Sequence, residues 1–574
     1  MRLQIVKSKN AQSLYVVKSV YHNKKRTNKV IEKLGTYEHL KTILNEEPIA
    51  WAQKYVEELN NKEKEGTRDI LVKYSPTQII EKDLQTSFNV GYLFLEKIYY
   101  DLGLNNICNK ISNKYKFNYD LDTILSRLIY SRIIYPSSKL ATFELSKKYI
   151  EQPDFELHDI YRALEVIAKE TDFIQAELYK NSLKISKRNT NILYYDCTNY
   201  FFEIEHESGI RQYGPSKEHR PTPITQMGLF MDGDGIPLAF SITPGNTNEQ
   251  TTLTPLEEKI LEDFKLSKFI VCTDAGLASN ANRKFNDKDK RAFITTQSIK
   301  KLKKHLMDWA LNPNEWHLSG DKKIYNINDI EKDETSAELF KDRIFFKERW
   351  IKENGLEQKL IVTYSLKYRN YQRQIRNSQI ERAKVAIANK TFRLDKCNQY
   401  DFKRFIMKTN ITEDGEIAEK KIISLNTDTI QKEEKFDGFY GVCTNLEDNA
   451  EEIIKVNQRR WEIEESFRIM KSEFKARPVY LSRDDRITAH FTTCFLSLVI
   501  LKFLEKLLEE KYTTSQIIDC LKEMNLVESI GNGYIPTYTR TNLTDNLHEK
   551  FDFRTDYQII TKANIKKIFK KIRN

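Results

Sequence analysis

Two short apolar segments that each run into an aspartate restrict the fold of this chain most. Residues 192–195 precede Asp196, and residues 269–273 precede Asp274. Between them, residues 225–243 hold two apolar runs around an Asp-Gly turn, which predicts a β-hairpin, and a helical segment follows. One more apolar segment comes after Asp274. The predicted order is strand, strand, strand, helix, strand, strand, which indicates an α/β fold whose first and fourth strands end on carboxylates.

This is the strand order of an RNase H-like fold, in which a later helix supplies a third carboxylate. Residues 448–475 predict one continuous helix. On a helical wheel, Glu464 shares one face with Arg460, Arg468 and Lys471, beside an apolar stripe. A carboxylate rimmed by cations suits a metal-bound phosphodiester, because the cations can bind non-bridging phosphate oxygens. A salt-bridged amphipathic helix is the alternative, since Glu464 has an arginine four residues away on each side.

Three blocks of sequence together resemble the catalytic blocks of bacterial insertion-sequence DDE transposases. They are Tyr-Tyr-Asp-Cys-Thr at 194–198, Thr-Asp-Ala-Gly at 273–276, and Arg-Trp-Glu-Ile-Glu at 460–464, followed by Lys471. The last block matches the spacing of the Y-R-E-K signature of the IS-four-like superfamily. Asn457 stands at the tyrosine position, so the phosphate contact of that tyrosine is not carried over. The resemblance covers about residues 191–298 and 436–508.

The resemblance implies the transposase of an insertion sequence. Such an enzyme binds terminal inverted repeats and catalyses metal-dependent strand cleavage and strand transfer in cut-and-paste DNA transposition. It implies that Asp196, Asp274 and Glu464 are the catalytic residues and hold two Mg²⁺ ions, with Mn²⁺ as a possible substitute. It also implies double-stranded DNA partners, namely the transposon ends and target DNA, and a homodimer in a synaptic complex.

A set of cationic and aromatic side chains is expected to contact the DNA. These side chains are Arg460, Trp461, Arg468, Lys471, Lys217 and Arg220. The resemblance implies that the arginine and lysine of the signature clamp phosphates and that Trp461 stacks on a displaced nucleotide. From the residues alone, a tryptophan at the edge of the core is an equal alternative. Lys217 and Arg220 lie in a polar loop that either touches backbone phosphate or is simply solvated.

The expected architecture is an α/β protein with an RNase H-like catalytic core that a mostly β insertion domain interrupts. Helical regions precede and follow that core. The expected segments are 1–70, a basic β-hairpin at 13–34 with a charged helix; 75–190, a helical domain; 191–298, the first part of the core; 299–445, the insertion; 446–480, the third-carboxylate helix; and 481–574, a helical region that ends in a basic tail and serves packing or dimerisation.

The positive charge is concentrated at the two ends of the chain. The 574 residues carry a formal net charge of +11, of which residues 1–40 contribute +7 and residues 557–574 contribute +6. The remaining residues are therefore slightly acidic. Basic ends on a near-neutral body favour a polyanionic partner, and solvated termini are the alternative.

Cysteine spacing and apolar runs indicate the compartment. The seven cysteines are scattered without a Cys-x-x-Cys pair, which fits a reducing cytosol. The longest apolar run, residues 491–501, is too short to span a bilayer. We therefore expect a soluble bacterial cytoplasmic protein with no membrane partner, associated with the nucleoid when bound to DNA.

Two other functions compete with the transposase hypothesis. One is a non-catalytic, transposase-derived DNA-binding regulator, against which the intact carboxylate triad argues. The other is an RNase H-fold nuclease without strand transfer. The basic ends and the large insertion fit a transposase better than such a nuclease.

Overall fold

The computed structural model describes residues 1–8, 11–22, 25–44, 47–66, 72, 75–77, 79–288, 290–389, 401–411, 417–529 and 532–574. The chain forms two compact units. One consists of residues 1–84 with 528–534, and the other of residues 85–527 with 535–574.

The first unit is built on an antiparallel sheet. Its elements are β1 (Arg2–Lys7), β2 (Gln12–His22), β3 (Lys25–Thr36), α1 (Tyr37–Ile43) and α2 (Pro48–Gly66). The strands pair in the order β1-β2-β3, and Leu14, Leu40 and Ala52 form a small buried core. The sequence predicted only a hairpin at 13–34, so β1 is an additional strand. Residues 23 and 24 of the predicted turn lie outside the described residues.

The second unit begins with a helical region. Its elements are β4 (Ser87–Asn89), α3 (Tyr92–Asp101), α4 (Leu104–Lys114), α5 (Leu121–Ile134), α6 (Lys139–Ser146), α7 (Leu157–Lys169) and α8 (Thr171–Ile185). In α7 the buried residues are Ile160, Ala163, Leu164 and Ile167, which is the i, i+3, i+4, i+7 spacing of an amphipathic helix.

A mixed sheet follows the helices. The chain runs through β5 (Ile192–Phe201), β6 (Ile224–Asp232), β7 (Pro237–Pro244), α9 (Leu253–Asp263), β8 (Ile270–Thr273), α10 (Asn280–Phe285) and β9 (Ala292–Gln297). The spatial order is β9-β8-β5-β6-β7. Strand β5 is antiparallel to β6 and parallel to β8, and β8 is parallel to β9.

The sequence prediction that the first strand ends at Asp196 is wrong. β5 continues to Phe201, because residues 197–201 pair with residues 224–228 of β6. The sequence also predicted that the fourth strand runs into Asp274, and this residue directly follows the last residue of β8. One aspartate therefore lies within a strand and the other lies at a strand end.

Residues 299–445 extend this same sheet. Their elements are α11 (Lys304–Leu311), β10 (His317–Leu318), α12 (Ile327–Lys332), α13 (Glu334–Leu339), β11 (Phe345–Glu353), β12 (Leu356–Tyr364), α14 (Leu366–Asn389), β13 (Ile406–Ile411), β14 (Ile417–Leu425), α15 (Thr427–Glu434) and β15 (Phe439–Thr444). Strands β10, β11, β12 and β15 continue the sheet from β9 to nine strands. The expected mostly β insertion is thus mixed α and β, and its longest element is α14.

The predicted single helix at 448–475 is two helices. These are α16 (Ala450–Gln458) and α17 (Trp461–Ser472), with Arg459 and Arg460 in the turn between them. The apolar side chains of α17 predicted to pack on the sheet are buried, as Ile463, Phe467 and Met470 show.

The remaining elements are α18 (Asp484–Leu507), α19 (Thr514–Glu523), β16 (Asn525–Ser529), β17 (Gly533–Pro536), α20 (Asn542–Phe551) and α21 (Lys562–Arg573). By length and hydropathy α18 would suffice to cross a membrane, but 89% of its most apolar window is buried inside the protein. It packs against α5 and α7. The basic tail is a docked helix, because α21 buries Ile565, Ile568 and Ile572.

Candidate active site

Asp196 and Asp274 lie level with each other on neighbouring parallel strands. In the β5–β8 register Tyr194 is opposite Cys272, and each aspartate lies two residues further along. Burial raises the pKa of Asp196 to about 6, and the negative charge of Asp274 adds to this effect. The two carboxylates are therefore close enough to repel each other.

Each aspartate has one oxygen engaged by backbone. Asp196 Oδ1 accepts a hydrogen bond from the amide of Cys197 at 2.7 Å. Asp274 Oδ1 accepts one from the amide of Leu277 at 3.0 Å, across the turn that contains Gly276. These bonds fix the orientation of both side chains and leave the second oxygen of each carboxylate for another partner.

Arg460 connects this pair to Glu464. The Nη2 of Arg460 donates to Glu464 Oε1 at 3.1 Å, and Glu464 itself is 60% exposed. Burial disfavours the Arg460 cation, but Tyr440, Asp274 and Asp196 outweigh burial and raise its pKa. The Nη1 of Arg460 is buried and has no hydrogen-bond partner among the described residues. One guanidinium thus lies in the field of all three carboxylates.

The carboxylates fit a divalent cation in donor chemistry. They offer only oxygen ligands, which suit Mg²⁺ or Mn²⁺, and the repulsion between Asp196 and Asp274 is what a cation would relieve. Within the described part of the chain, no group of three or more His, Cys, Asp and Glu side chains is close enough to hold a metal ion. Glu464 is bound to Arg460 instead, so it must exchange that partner to join the aspartates.

Two lysines lie near Asp196. Lys217 donates to the carbonyl of Cys197, and its Nζ lies 3.3 Å from a carboxylate oxygen of Glu249. Burial disfavours its charge, yet Asp196 and then Glu249 raise its pKa. For Lys471, burial and the neighbouring Lys217 lower the pKa to about 8. The loop of Lys217 is therefore packed beside the aspartate site.

The other predicted contacts have different surroundings. Trp461 is 61% exposed, so it is not a core-edge residue. Arg220 is exposed and lies over the Phe201 ring at 4.0 Å. Arg468 was predicted to share the face of Glu464, but its Nε donates to Glu465 Oε2 at 2.7 Å. Arg468 therefore pairs with the neighbouring glutamate, and its contact with DNA stays a prediction.

Tyr440 is a site residue that the sequence did not reveal. Its hydroxyl accepts a hydrogen bond from Asn457 Nδ2 at 3.2 Å and also lies beside Arg460. Both residues line a cavity of about 370 Å³ that also reaches Trp461 and Glu464. A tyrosine from β15 therefore stands next to the asparagine that occupies the signature's tyrosine position. No local sequence pattern connects these two residues.

A groove of about 730 Å³ runs beside Asp274. Lys300 and Lys301, which follow β9, line it together with Arg376 and Arg404, and these residues all belong to the segment 299–445. Arg376 is paired with Asp437 and Arg404 with Glu433. In the sequence, the two adjacent lysines after an apolar strand are the signal for this groove.

Comparison with known protein families finds one that matches this chain. The model described as Transposase DDE domain matches residues 201–500, which is slightly more than half of the chain and includes Asp274 and Glu464. The match begins five residues after Asp196. Curated protein sequences contain no significant match to this chain.

Two solved structures are similar at low level. A piggyBac transposase synaptic complex with hairpin DNA has a TM-score of 0.35 and 8% identity, over 84% of this chain and 85% of that one. A Mos1 transposase paired-end complex has a TM-score of 0.13 and 14% identity, over 41% of this chain and 64% of that one. At these TM-scores neither superposition defines a shared fold. On the family match, the chain belongs to the family of transposase DDE domains.

Proposed function

We propose that this protein is the transposase of an insertion sequence, which cleaves DNA at the element's terminal inverted repeats and joins the freed ends to target DNA. The observation that carries the proposal is the pair Asp196 and Asp274, level on adjacent parallel strands and electrostatically coupled. Family membership gives the reaction class. The geometry of the two aspartates supports the choice of residues.

We also propose an RNase H-like core for residues 191–298 with the helix α17. The support is the strand order β9-β8-β5-β6-β7, in which β5, β8 and β9 are parallel and β6 is antiparallel to both β5 and β7. Helix α17, later in the chain, carries Glu464, which accepts a hydrogen bond from Arg460. Asp274 and Asp196 act electrostatically on the same arginine.

Asp196, Asp274 and Glu464 would hold two Mg²⁺ ions, with Mn²⁺ as a substitute. Such ions supply activation of the attacking oxygen and stabilisation of the leaving oxygen in an in-line displacement. In the chain itself, Arg460 holds Glu464 at 3.1 Å. A DNA phosphate that binds Arg460 would free Glu464 to turn toward the aspartates, since one guanidinium then has a stronger anionic partner.

The cations around the site would hold the scissile strand. Lys217 and Lys471 lie beside Asp196, where they can bind the phosphate next to the one being cleaved. The exposed ring of Trp461 can stack on a displaced base. Lys300 and Lys301 offer a path for the DNA backbone along the groove beside Asp274. A homodimer that pairs two transposon ends, in a bacterial cytoplasm, completes the proposal.

The decisive experiment is a metal-dependent cleavage assay on DNA that carries the element's own ends. Asp196→Asn, Asp274→Asn and Glu464→Gln should each lower cleavage by at least about a thousandfold, because two-metal catalysis fails without its ligands. DNA binding in EDTA should be unchanged. Asp263→Asn, an exposed aspartate at the end of α9, is the matched control and should cleave normally.

The same assay separates the competing functions. Strand transfer into a plasmid target identifies a transposase, whereas cleavage without joined products identifies a nuclease. End binding without cleavage in Mg²⁺ and in Mn²⁺ identifies a DNA-binding regulator. Full cleavage by any of the three variants would remove that residue from the active site.

A further inference from the structure

A basic cavity is lined by none of the three carboxylates of the candidate active site. It has a volume of about 370 Å³ and forms where the loop before α6, the segment after α17 and the helix α18 meet. Arg132, Lys139, Lys475, Arg477 and His490 line it. Among the described residues, no aspartate or glutamate lines this cavity. Such a concentration of one charge type is unusual for a protein interior.

Two of these cations are buried without a compensating anion. Lys139 is 5% exposed, and its Nζ has no hydrogen-bond partner in the described part of the chain. Arg132 is also 5% exposed. Its two Nη atoms donate only to neutral carbonyls, those of Phe474 at 3.0 Å and Ser137 at 3.2 Å, and its Nε has no partner there.

The lowered pKa values of two lining residues show that the cavity does not stabilise this positive charge. Burial, and then the positive charge of Arg132, lower the pKa of Lys139 to about 7. Burial and the same two cations lower the pKa of His490 well below its usual value, and this ring bonds the carbonyl of Ala476. A buried cation without a partner destabilises a fold unless an anion joins it.

The other residues that line the cavity, and its volume, favour an anion larger than a single ion. The hydroxyl of Ser137 is buried and makes no hydrogen bond among the described residues, so it is a further donor. Arg477 contributes little free charge, because it is paired with Glu218. The volume is near the lower end of the range of small-molecule sites, about 300–1,000 Å³. It exceeds what a bare ion needs, and the Tyr161 and Tyr480 rings line the same space.

We propose that this cavity binds the phosphate group of a nucleotide, with Lys139, Arg132 and Ser137 as donors to the phosphate oxygens. A phosphate presents several acceptor oxygens at once, which matches converging ammonium, guanidinium and hydroxyl donors. The aromatic rings leave a place for the attached nucleoside. The phosphate comes either from a DNA strand that passes the catalytic unit or from a free nucleotide. The site does not depend on metal binding at the aspartates.

The test is calorimetric titration of the full-length protein, in EDTA, with 5′-dTMP and with inorganic phosphate. Lys139→Met keeps an unbranched side chain, one atom shorter, and removes the charge, so it should lower the affinity for 5′-dTMP at least about tenfold. It should also raise the melting temperature of the ligand-free protein, because it removes an unpaired buried cation. Lys147→Met is the matched control, since Lys147 at the end of α6 is paired with Glu144 outside the cavity; it should bind 5′-dTMP like wild type.

A second variant and a DNA titration make the outcome unambiguous. Ser137→Ala keeps the charge and should weaken 5′-dTMP binding without loss of stability. Displacement of 5′-dTMP by single-stranded DNA, with DNA binding weakened in Lys139→Met, assigns the phosphate to a DNA strand. Binding of 5′-dTMP that DNA does not displace assigns it to a free nucleotide. Absence of binding by wild type, or equal binding by Lys139→Met, would overturn the proposal whatever the cleavage assay shows.

Discussion

At the scale of single residues, the ionisable groups of the site act through their neighbours. Asp196 has a raised pKa because it is buried and faces Asp274. Lys471 has a lowered pKa because it is buried and faces Lys217. Arg460 donates a hydrogen bond to Glu464, and the two aspartates attract the same guanidinium. The site is thus a set of opposed charges whose balance shifts when a phosphate or a cation arrives.

The pKa of Lys471 predicts a pH dependence of DNA binding. Its value of about 8 means that the ammonium is mostly protonated at pH 7 and mostly neutral at pH 9. Because the charged form binds phosphate, we expect affinity for the element's ends to fall up to about tenfold between pH 7 and 9 at constant salt. Fluorescence anisotropy in EDTA measures this change.

Lys471→Gln provides the control for this prediction. It should bind DNA at pH 7 about as weakly as wild type does at pH 9, and its affinity should vary little across the window. An equally steep pH dependence in Lys471→Gln would show that another group titrates, and that Lys471 does not contact phosphate.

At the scale of elements, the break between α16 and α17 sets the geometry of the third carboxylate. A continuous helix would keep Asn457 and Glu464 on one face. The turn at Arg459 and Arg460 instead lets the buried Asn457 bond Tyr440 while the exposed Glu464 remains at the cavity rim. Behind them, α18 is the buried helix on which the catalytic core and the helical region both pack.

The packing of α18 predicts unequal effects along one helix. Leu498 is fully buried, whereas Leu507 is 39% exposed. Leu498→Ala should lower the free energy of unfolding by about 2–5 kcal/mol, because it removes apolar contacts and leaves a cavity. Leu507→Ala should change it by less than about 1 kcal/mol. Urea unfolding followed by circular dichroism checks both, and equal losses would contradict the core position of α18.

At the scale of the whole molecule, exposed basic side chains occur in both units. The first unit presents exposed lysines such as Lys29 and Lys33 on β3, and α21 directs its lysines outward while its isoleucines are buried. The aspartates lie in the second unit.

The exposed lysines of β3 predict a change in salt dependence. The double variant Lys29→Gln with Lys33→Gln keeps the strand and removes two charges, so the slope of log Kobs against log[salt] should become shallower by about 2. Cleavage at saturating DNA should be unchanged. Lys97→Gln, a lysine paired with Asp101 on α3, should leave the slope as in wild type. Unchanged slopes for the double variant would place the DNA elsewhere.

The sequence by itself determined the local features of this protein. Alternating and continuous apolar runs identify strands β5 to β9 and the helix between them, because burial of a sheet requires that periodicity. The apolar stripe of α17 is likewise readable, since Ile463, Phe467 and Met470 recur at helical spacing. The three blocks around Asp196, Asp274 and Glu464 indicated the family that the comparison shows. Their individual roles stay predictions.

Only the tertiary structure decided which residues meet. Pairing with β6 extends β5 past Asp196, and pairing with β9 draws the strands of 299–445 into one sheet. Arg468 bonds Glu465 because both side chains lie on the same solvent face of α17. A helical wheel does not resolve which of the two neighbouring glutamates this arginine contacts. Tyr440 contacts Asn457, 17 residues further along the chain. Lys139 and Arg132 lie close in sequence, but they are buried together because Phe474 and His490, from distant segments, pack beside them. Periodicity records whether a side chain is buried, but the partner it meets depends on how distant elements pack.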